Sequence, residues 1–202
     1  ADRSYQHAVA YAKERVQGLA AGDSEKGTII NHPDIRRMLM IMRSLTEASR
    51  ALCYVTAAAF DVAHQGEDSA QQSLAAARGD LLTPLAKGWS TEIAQEVTSL
   101  GVQVHGGMGF IEETGAAQYM RDARIITIYE GTTGIQANDL VGRKLFRDGG
   151  TEFFLLLADI SATQQQTAKV GAELGDISRA LASGVDALTG LLKLLLAQGG
   201  DN

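Results

Sequence analysis

Glu130 follows the apolar run Ile125-Ile126-Thr127-Ile128-Tyr129 and precedes Gly131-Thr132-Thr133, so a carboxylate stands between a segment that favours burial and a helix start. Two roles fit that position. A carboxylate at a helix N-terminus satisfies orphan N–H groups and meets the positive end of the helix dipole. One desolvated by apolar neighbours keeps its proton to higher pH and becomes usable in acid–base work. A second cluster, Gln103-Val104-His105-Gly106-Gly107-Met108-Gly109-Phe110, has glycines through which backbone N–H groups could approach a phosphate. It does not match the dinucleotide fingerprint and no strand precedes it, so from the glycines alone a helix C-cap followed by a turn is the stronger reading. His105 has no histidine or cysteine placed as a partner, which points to packing within a loop and away from a metal site. Arg121, Asp122 and Arg124 are expected to form a salt-bridged turn holding the Glu130 segment, and Met38, Met40 and Met42 to fill core and interface.

The elements that must position these residues read as helices. Tyr5, Val9, Ala12 and Val16 recur at helical spacing and predict a helix over residues 4–19. Gly22, Asp23, Ser24 and Gly27 mark a loop over 21–31, and Pro33 suits the first turn of the next helix. That helix carries Ile35, Met38, Met42, Leu45, Ser49, Leu52, Thr56, Ala59 and Val62 at near-heptad spacing, which calls for a long packing partner. A turn is expected at Gly66-Glu67-Asp68-Ser69, then a helix over 81–101 with Pro84 near its start. Residues 101–134, punctuated by glycine but rich in apolar positions, read as a shaped loop around a site. Helices follow over 133–146, 151–170 and 174–196. With no strand pattern, the expected class is all-α, an antiparallel helical bundle.

Composition narrows the function classes. The chain has 202 residues, 45% of them hydrophobic, and a net charge of −6 with no basic tract beyond Arg36-Arg37, so no nucleic-acid partner is expected. The single cysteine, Cys53, lies in an apolar periodic stretch and excludes a disulfide framework, which fits a cytoplasmic setting. No run reaches the roughly 20 uninterrupted apolar residues of a membrane span, and Ala1-Asp2-Arg3-Ser4 does not begin a signal peptide. Both ends, including the final Gln198-Gly199-Gly200-Asp201-Asn202, read as cut from something longer.

The clusters taken together resemble the acyl-CoA dehydrogenase family. In its C-terminal helical domain a Gln-x-x-Gly-Gly-x-Gly-Phe segment precedes Arg-Asp-Ala and then Tyr-Glu-Gly-Thr-x-x-Ile-Gln, matched here by residues 103–110, 121–123 and 129–136. Tyr11-Ala12-Lys13-Glu14-Arg15 resembles the family's Tyr-Ala-x-Glu-Arg helix end. The Glu-Gly-Thr-Thr-Gly-Ile-Gln wording and the helices beyond the bundle resemble the larger, bacterial-type, long-chain subclass. The resemblance implies a domain over 1–148 with an additional helical region over 149–202. It also implies oxidation of an acyl-CoA to a trans-2-enoyl-CoA, with Glu130 taking the α-proton while hydride passes to FAD. Tyr129, Glu130 and Gly131 would meet the substrate, and the Glu130 N–H its thioester carbonyl. Ile128 and Tyr129 would desolvate the base. Thr132 and Gly134 would lie near the flavin, and Gln103, Gly106, Gly107 and Arg15 near its adenosine diphosphate part in a neighbouring subunit. An electron-transfer flavoprotein as acceptor and a homodimer or larger assembly complete the expectation. The rival reading is a helical oligomerisation module of the same ancestry in which Glu130 is only a cap; a flavoprotein oxidase of the same fold is a further option.

Overall fold

The computed structural model describes residues 1–22 and 24–199. Asp23 of the expected loop and Gly200, Asp201 and Asn202 of the terminal segment lie outside the described residues. The α-helices are α1 (Asp2–Glu14), α2 (Pro33–Gln65), α3 (Ser69–His105), α4 (Gly107–Phe110), α5 (Ala116–Ile126), α6 (Thr133–Asn138), α7 (Thr151–Val170) and α8 (Gly175–Gly199). A π-helix, Asp139–Leu145, continues α6. The class is all-α, as the periodicity required. An isolated bridge between Val16 and Thr28 is the only β pairing among the described residues.

Two compact units share the chain. The first comprises Ala1–Ala57 and Leu85–Gln136, the second Ala58–Pro84 and Ala137–Asn202, so α2 and α3 contribute to both. The core of the first unit joins α1 (Ala8, Ala12), α2 (Met38, Leu39, Met42) and α3 (Ile93, Val97, Val104) around Ile29. Small residues let α1 and α3 approach closely: a Cβ on Gly101 would strike the buried Ser4 hydroxyl. Met38 and Met42 fill this core, and Met40, expected with them in core or interface, is 69% exposed. Cys53 is also exposed, its Sγ 4.0 Å from Ser90 Oγ.

In the second unit Leu145, Leu157 and Leu192 form the core, flanked by Phe153, Phe154 and Leu196. Antiparallel pairing of α7 and α8 is fixed by Gln164 Nε2 donating to Ser178 Oγ at 2.7 Å, with Leu157 and Leu192 meeting further along. The stretch Ala172–Gly199 is long and apolar enough to cross a membrane by length and composition. It carries Asp176, Arg179, Asp186 and Lys193 at intervals and packs its Leu192 face on α7, as a bundle helix does.

Several boundaries differ from the sequence expectation. The first helix stops at Glu14, because Arg15 turns extended (φ −69°, ψ 118°) and pairs with the returning chain, Ile29 N–H donating to Arg15 O at 2.8 Å. The third begins at Ser69, well before residue 81: Asp68 Oδ1 accepts the Ala70 N–H at 3.0 Å as an N-cap, and the alanine-rich run that follows is a strong helix former lacking the apolar period that marks buried helices. Pro84 therefore lies inside the helix, not near its start. Residues 101–134 are mostly helical, not a loop: α3 runs on to His105, and α4 and α5 follow after single turns. Gly109 permits this compaction, since a Cβ there would lie 2.9 Å from Val102 Cα.

Candidate functional site

Glu130 occupies the turn that links α5 to α6. Helix α5 unwinds after Ile126, with the Ile128 and Tyr129 N–H groups both donating to Ile125 O, at 3.0 and 3.1 Å. Thr133 N–H reaches back to Thr127 O at 3.3 Å and closes the turn. Inside it Glu130 has φ +52°, the one positive value at a non-glycine among the described residues, and Gly131 has φ +90°. The positive φ favours glycine at 131, and a side chain there would also displace the Gln136 amide, whose Nε2 would lie 2.7 Å from its Cβ.

Groups from α3 and α6 fasten the turn. Lys87 Nζ donates to Gly131 O, Thr133 Oγ1 donates to Glu92 Oε1 at 2.6 Å, and Gln136 Nε2 lies 3.4 Å from the Glu130 and Gly131 carbonyls. Thr132 Oγ1 accepts the Ile135 N–H at 3.3 Å and caps α6. The Glu130 carboxylate accepts no hydrogen bond among the described residues, and its N–H donates to none. Ile128 and Tyr129, expected to desolvate Glu130, are themselves 45% and 51% exposed, so this chain by itself leaves the carboxylate in water. Lys87 and Glu92 were not foreseen; they are two of many polar residues on α3, and nothing local in the sequence sets them apart.

The expected salt-bridged turn of Arg121, Asp122 and Arg124 does not form. Arg121 instead pairs bidentately with Glu112, at 2.8 and 2.6 Å, Asp122 accepts from Gln118, and Arg124 donates to the buried Thr127 hydroxyl at the root of the Glu130 turn. The physical reason is that α5 is helical here, so neighbours in sequence point to different sides.

Arg15, Gln103 and Gly106, far apart in sequence, line one cavity of about 330 Å³ with Gln17, Gly18 and His32. Gly107 is open to solvent beside it, with nothing within 4 Å of a notional Cβ. Gly106 (φ +60°, ψ −140°) adopts a backbone open only to glycine and starts α4. His105 is the last residue of α3, not part of a loop: it is 3% exposed, its Nδ1 lies 2.7 Å from Gly101 O, and its ring stacks on Tyr11 with centroids 4.4 Å apart. Burial pushes its pKa below the ordinary histidine range, partly opposed by the Gly101 carbonyl and reinforced by His7. No residue is shared between this cavity and the Glu130 turn.

The family model for the acyl-CoA dehydrogenase C-terminal domain matches residues 1–145. The chain belongs to the acyl-CoA dehydrogenase family. It is 50% identical over its whole length to 34% of the 3-methylmercaptopropionyl-CoA dehydrogenase of Ruegeria pomeroyi. It is 38% identical to a broad-specificity linear acyl-CoA dehydrogenase of Mycobacterium tuberculosis, over 92% of this chain and 31% of that one. A solved structure of Caenorhabditis elegans ACDH-11 in complex with C11-CoA superposes on 94% of the chain and 30% of its own, with a TM-score of 0.78 at 25% identity. The chain thus spans about a third of the length of the curated relatives it matches. The first of these alignments runs through α7 and α8, beyond the family model's last matched residue.

Proposed function

We propose that this acyl-CoA dehydrogenase domain supplies the base of its parent enzyme, and that the base is Glu130. One observation carries the reading. The Glu130 turn holds a glutamate in a backbone conformation that costs an ordinary residue roughly 1–2 kcal/mol, fastens it from Lys87 and Gln136, and leaves both its carboxylate and its N–H without a partner among the described residues. A structural glutamate at this position would be expected to bond the first turn of α6, a task that Thr132 performs. The carboxylate takes the α-proton of the acyl-CoA, and the Glu130 N–H meets the thioester oxygen as negative charge develops there.

Bound FAD supplies the hydride acceptor. The fit to its parts rests on Thr132 and Gly134 at the start of α6 for the ring end, and on the Arg15, Gln103 and Gly106 cavity, with Gly107 beside it, for the diphosphate end. Arg15 has only the neutral Gln17 as side-chain partner among the described residues, so its charge is available to an anion. Desolvation of Glu130, which the base needs, comes from the remainder of the parent chain and from the substrate itself, since Ile128 and Tyr129 are exposed in this chain.

On this reading the family domain covers 1–148, with residues 149–202 as an additional helical region of the larger subclass. The parent is a cytoplasmic homodimer or larger assembly, its product a trans-2-enoyl-CoA and its electron acceptor an electron-transfer flavoprotein. The isolated chain is inactive. Exposed apolar side chains such as Phe110 (83%), Met40 and Tyr54 (each 69%) support burial against further protein.

The test uses the full-length parent with FAD and a panel of acyl-CoA thioesters that includes 3-methylmercaptopropionyl-CoA. Anaerobic flavin bleaching by wild type, lost in Glu130→Gln while flavin stays bound, supports the assignment. Equal bleaching in both moves the base elsewhere. Absence of bleaching in both across the panel supports the oligomerisation-module reading.

A further inference from the structure

The cavity lined by Arg15 and Gln103 contains a histidine that the sequence did not single out. His32 follows the 3₁₀ turn Ile29–Asn31 and is held there by its own N–H donating to Ile29 O at 3.0 Å. Its Nε2 lies 2.9 Å from Gln17 O. A carbonyl only accepts, so this nitrogen carries the proton and donates. Beside it Gly18 turns the chain at φ +71°, and a Cβ there would sit 3.3 Å from His32 Cε1.

The segment that His32 grips contains the cavity's cation. Arg15 and Gln17 leave α1 in extended form, tied to the returning chain by the bridge between Val16 and Thr28 and by Ile29 N–H donating to Arg15 O. Gln17 Oε1 accepts from Arg15 Nε and Nη2 at 3.4 and 3.2 Å. A relay therefore runs from the His32 ring to the Gln17 backbone, and from the Gln17 side chain to the Arg15 guanidinium. The carboxamide NH₂ of Gln17 makes no hydrogen bond among the described residues and remains a donor for an incoming group.

We propose that His32 is a positioning residue for the diphosphate end of the flavin: its N–H fixes the Arg15-to-Gly18 segment so that the Arg15 guanidinium and the Gln17 amide present a preorganised donor set to the phosphates. This rests on the flavin reading of the cavity given above. Preorganisation matters because an exposed arginine loses side-chain freedom on binding an anion, and a guanidinium already oriented by Gln17 loses less.

The experiment uses the apo form of the full-length parent, with FAD affinity measured by fluorescence titration and ADP as a competing probe. His32→Phe keeps a ring beside Gly18 and removes the donor; it is expected to weaken FAD and ADP alike by about tenfold, the worth of one well-placed hydrogen bond. His32→Gln, which returns an amide donor near the position of Nε2, is expected to recover most of that loss. Arg15→Ala separates the two levels of the claim. If Arg15→Ala binds FAD as wild type does, the flavin reading of the cavity is lost; if it weakens FAD while His32→Phe does not, only the role of His32 is overturned. A His32→Phe protein that fails to fold also counts against it, because the bond would then serve the scaffold and not the cavity.

Discussion

Ile135 N–H donates to Thr132 Oγ1 at 3.3 Å, so the hydroxyl two residues beyond Glu130 caps α6 and the carboxylate is released from that duty. The division of labour has a simple cause. Glu130 and Gly131, at φ +52° and +90°, turn the chain ahead of α6, and Thr132 occupies the cap position.

Removing this cap should be measurable as stability. Thr132→Ala is expected to lower stability by about 1 kcal/mol, and Thr132→Ser to keep most of it, because the serine hydroxyl can still accept the N–H. Thermal unfolding of the two variants against wild type reads the difference; equal melting temperatures for Ala and Ser would remove the cap from the account.

Glu130 carries a backbone strain that a glycine in its place would not. Its φ of +52° is easy for glycine and costly for any residue with a Cβ. Glu130→Gly should therefore be more stable than Glu130→Ala by roughly 1 kcal/mol, and both should fail to bleach flavin. Chemical denaturation of the pair decides it, with Ala at or above Gly as the contrary result.

Acid should loosen the fold through His105. Burial holds its imidazole below the ordinary value of 6.5 in the folded protein, while the unfolded chain titrates near that value. As pH falls below 6.5 the unfolded state takes up the proton first, so stability drops until the folded pKa is also passed. His105→Asn keeps a donor near Nδ1 for the Gly101 carbonyl and removes the titration. Its unfolding free energy should change less between pH 7 and about pH 5 than that of wild type, and parallel profiles would assign the acid sensitivity elsewhere.

In the second unit, Asp80 joins Arg147 at 2.7 Å and Lys144 at 3.1 Å, and Lys144 is the buried partner. Arg147 chiefly, with Lys144, holds the Asp80 carboxyl below its ordinary 3.8 against the opposing effect of burial. This contribution is present above about pH 4 and is lost as pH falls through the folded value. Asp80→Asn should cost about 2 kcal/mol because it leaves a buried ammonium poorly paired, whereas Arg147→Gln should cost about 0.5 kcal/mol as a surface pair does. Denaturant titrations that rank the two in the opposite order would refute this assignment of the burial cost.

Two glycines of the motif region should respond oppositely to alanine. At Gly109 a Cβ meets backbone, with Val102 Cα 2.9 Å away, and α4 must shift. At Gly134 the nearest atom, Thr132 Oγ1, is 3.8 Å away in ordinary contact. Gly109→Ala is expected to lose about 2 kcal/mol or more, and Gly134→Ala to be neutral or to gain up to about 1 kcal/mol in helix propensity. The same melts would show it.

Much of this domain was legible without coordinates. Apolar residues at helical spacing set the all-α class and placed α2, α7 and α8, because a helix buried on one face must repeat its apolar residues with the helical period. The order of motifs from Gln103 to Gln136 was enough to reach the family, and the position of Glu130 between an apolar run and a helix start marked it for attention. Periodicity was silent on residues 69–80, where helix propensity and the Asp68 cap act with little burial, and it misread residues 101–134, where glycines serve close packing as well as turns. Only the tertiary structure decided that Thr132 caps α6 in place of Glu130, that Lys87 and Glu92 fasten the Glu130 turn from α3, and that His32 shares a cavity with Arg15 and Gln103. The first is a choice between two neighbouring cap candidates that the turn geometry makes, and the others are relations between residues distant in sequence, fixed by how helices pack and where the chain returns after Arg15, which no local spacing encodes.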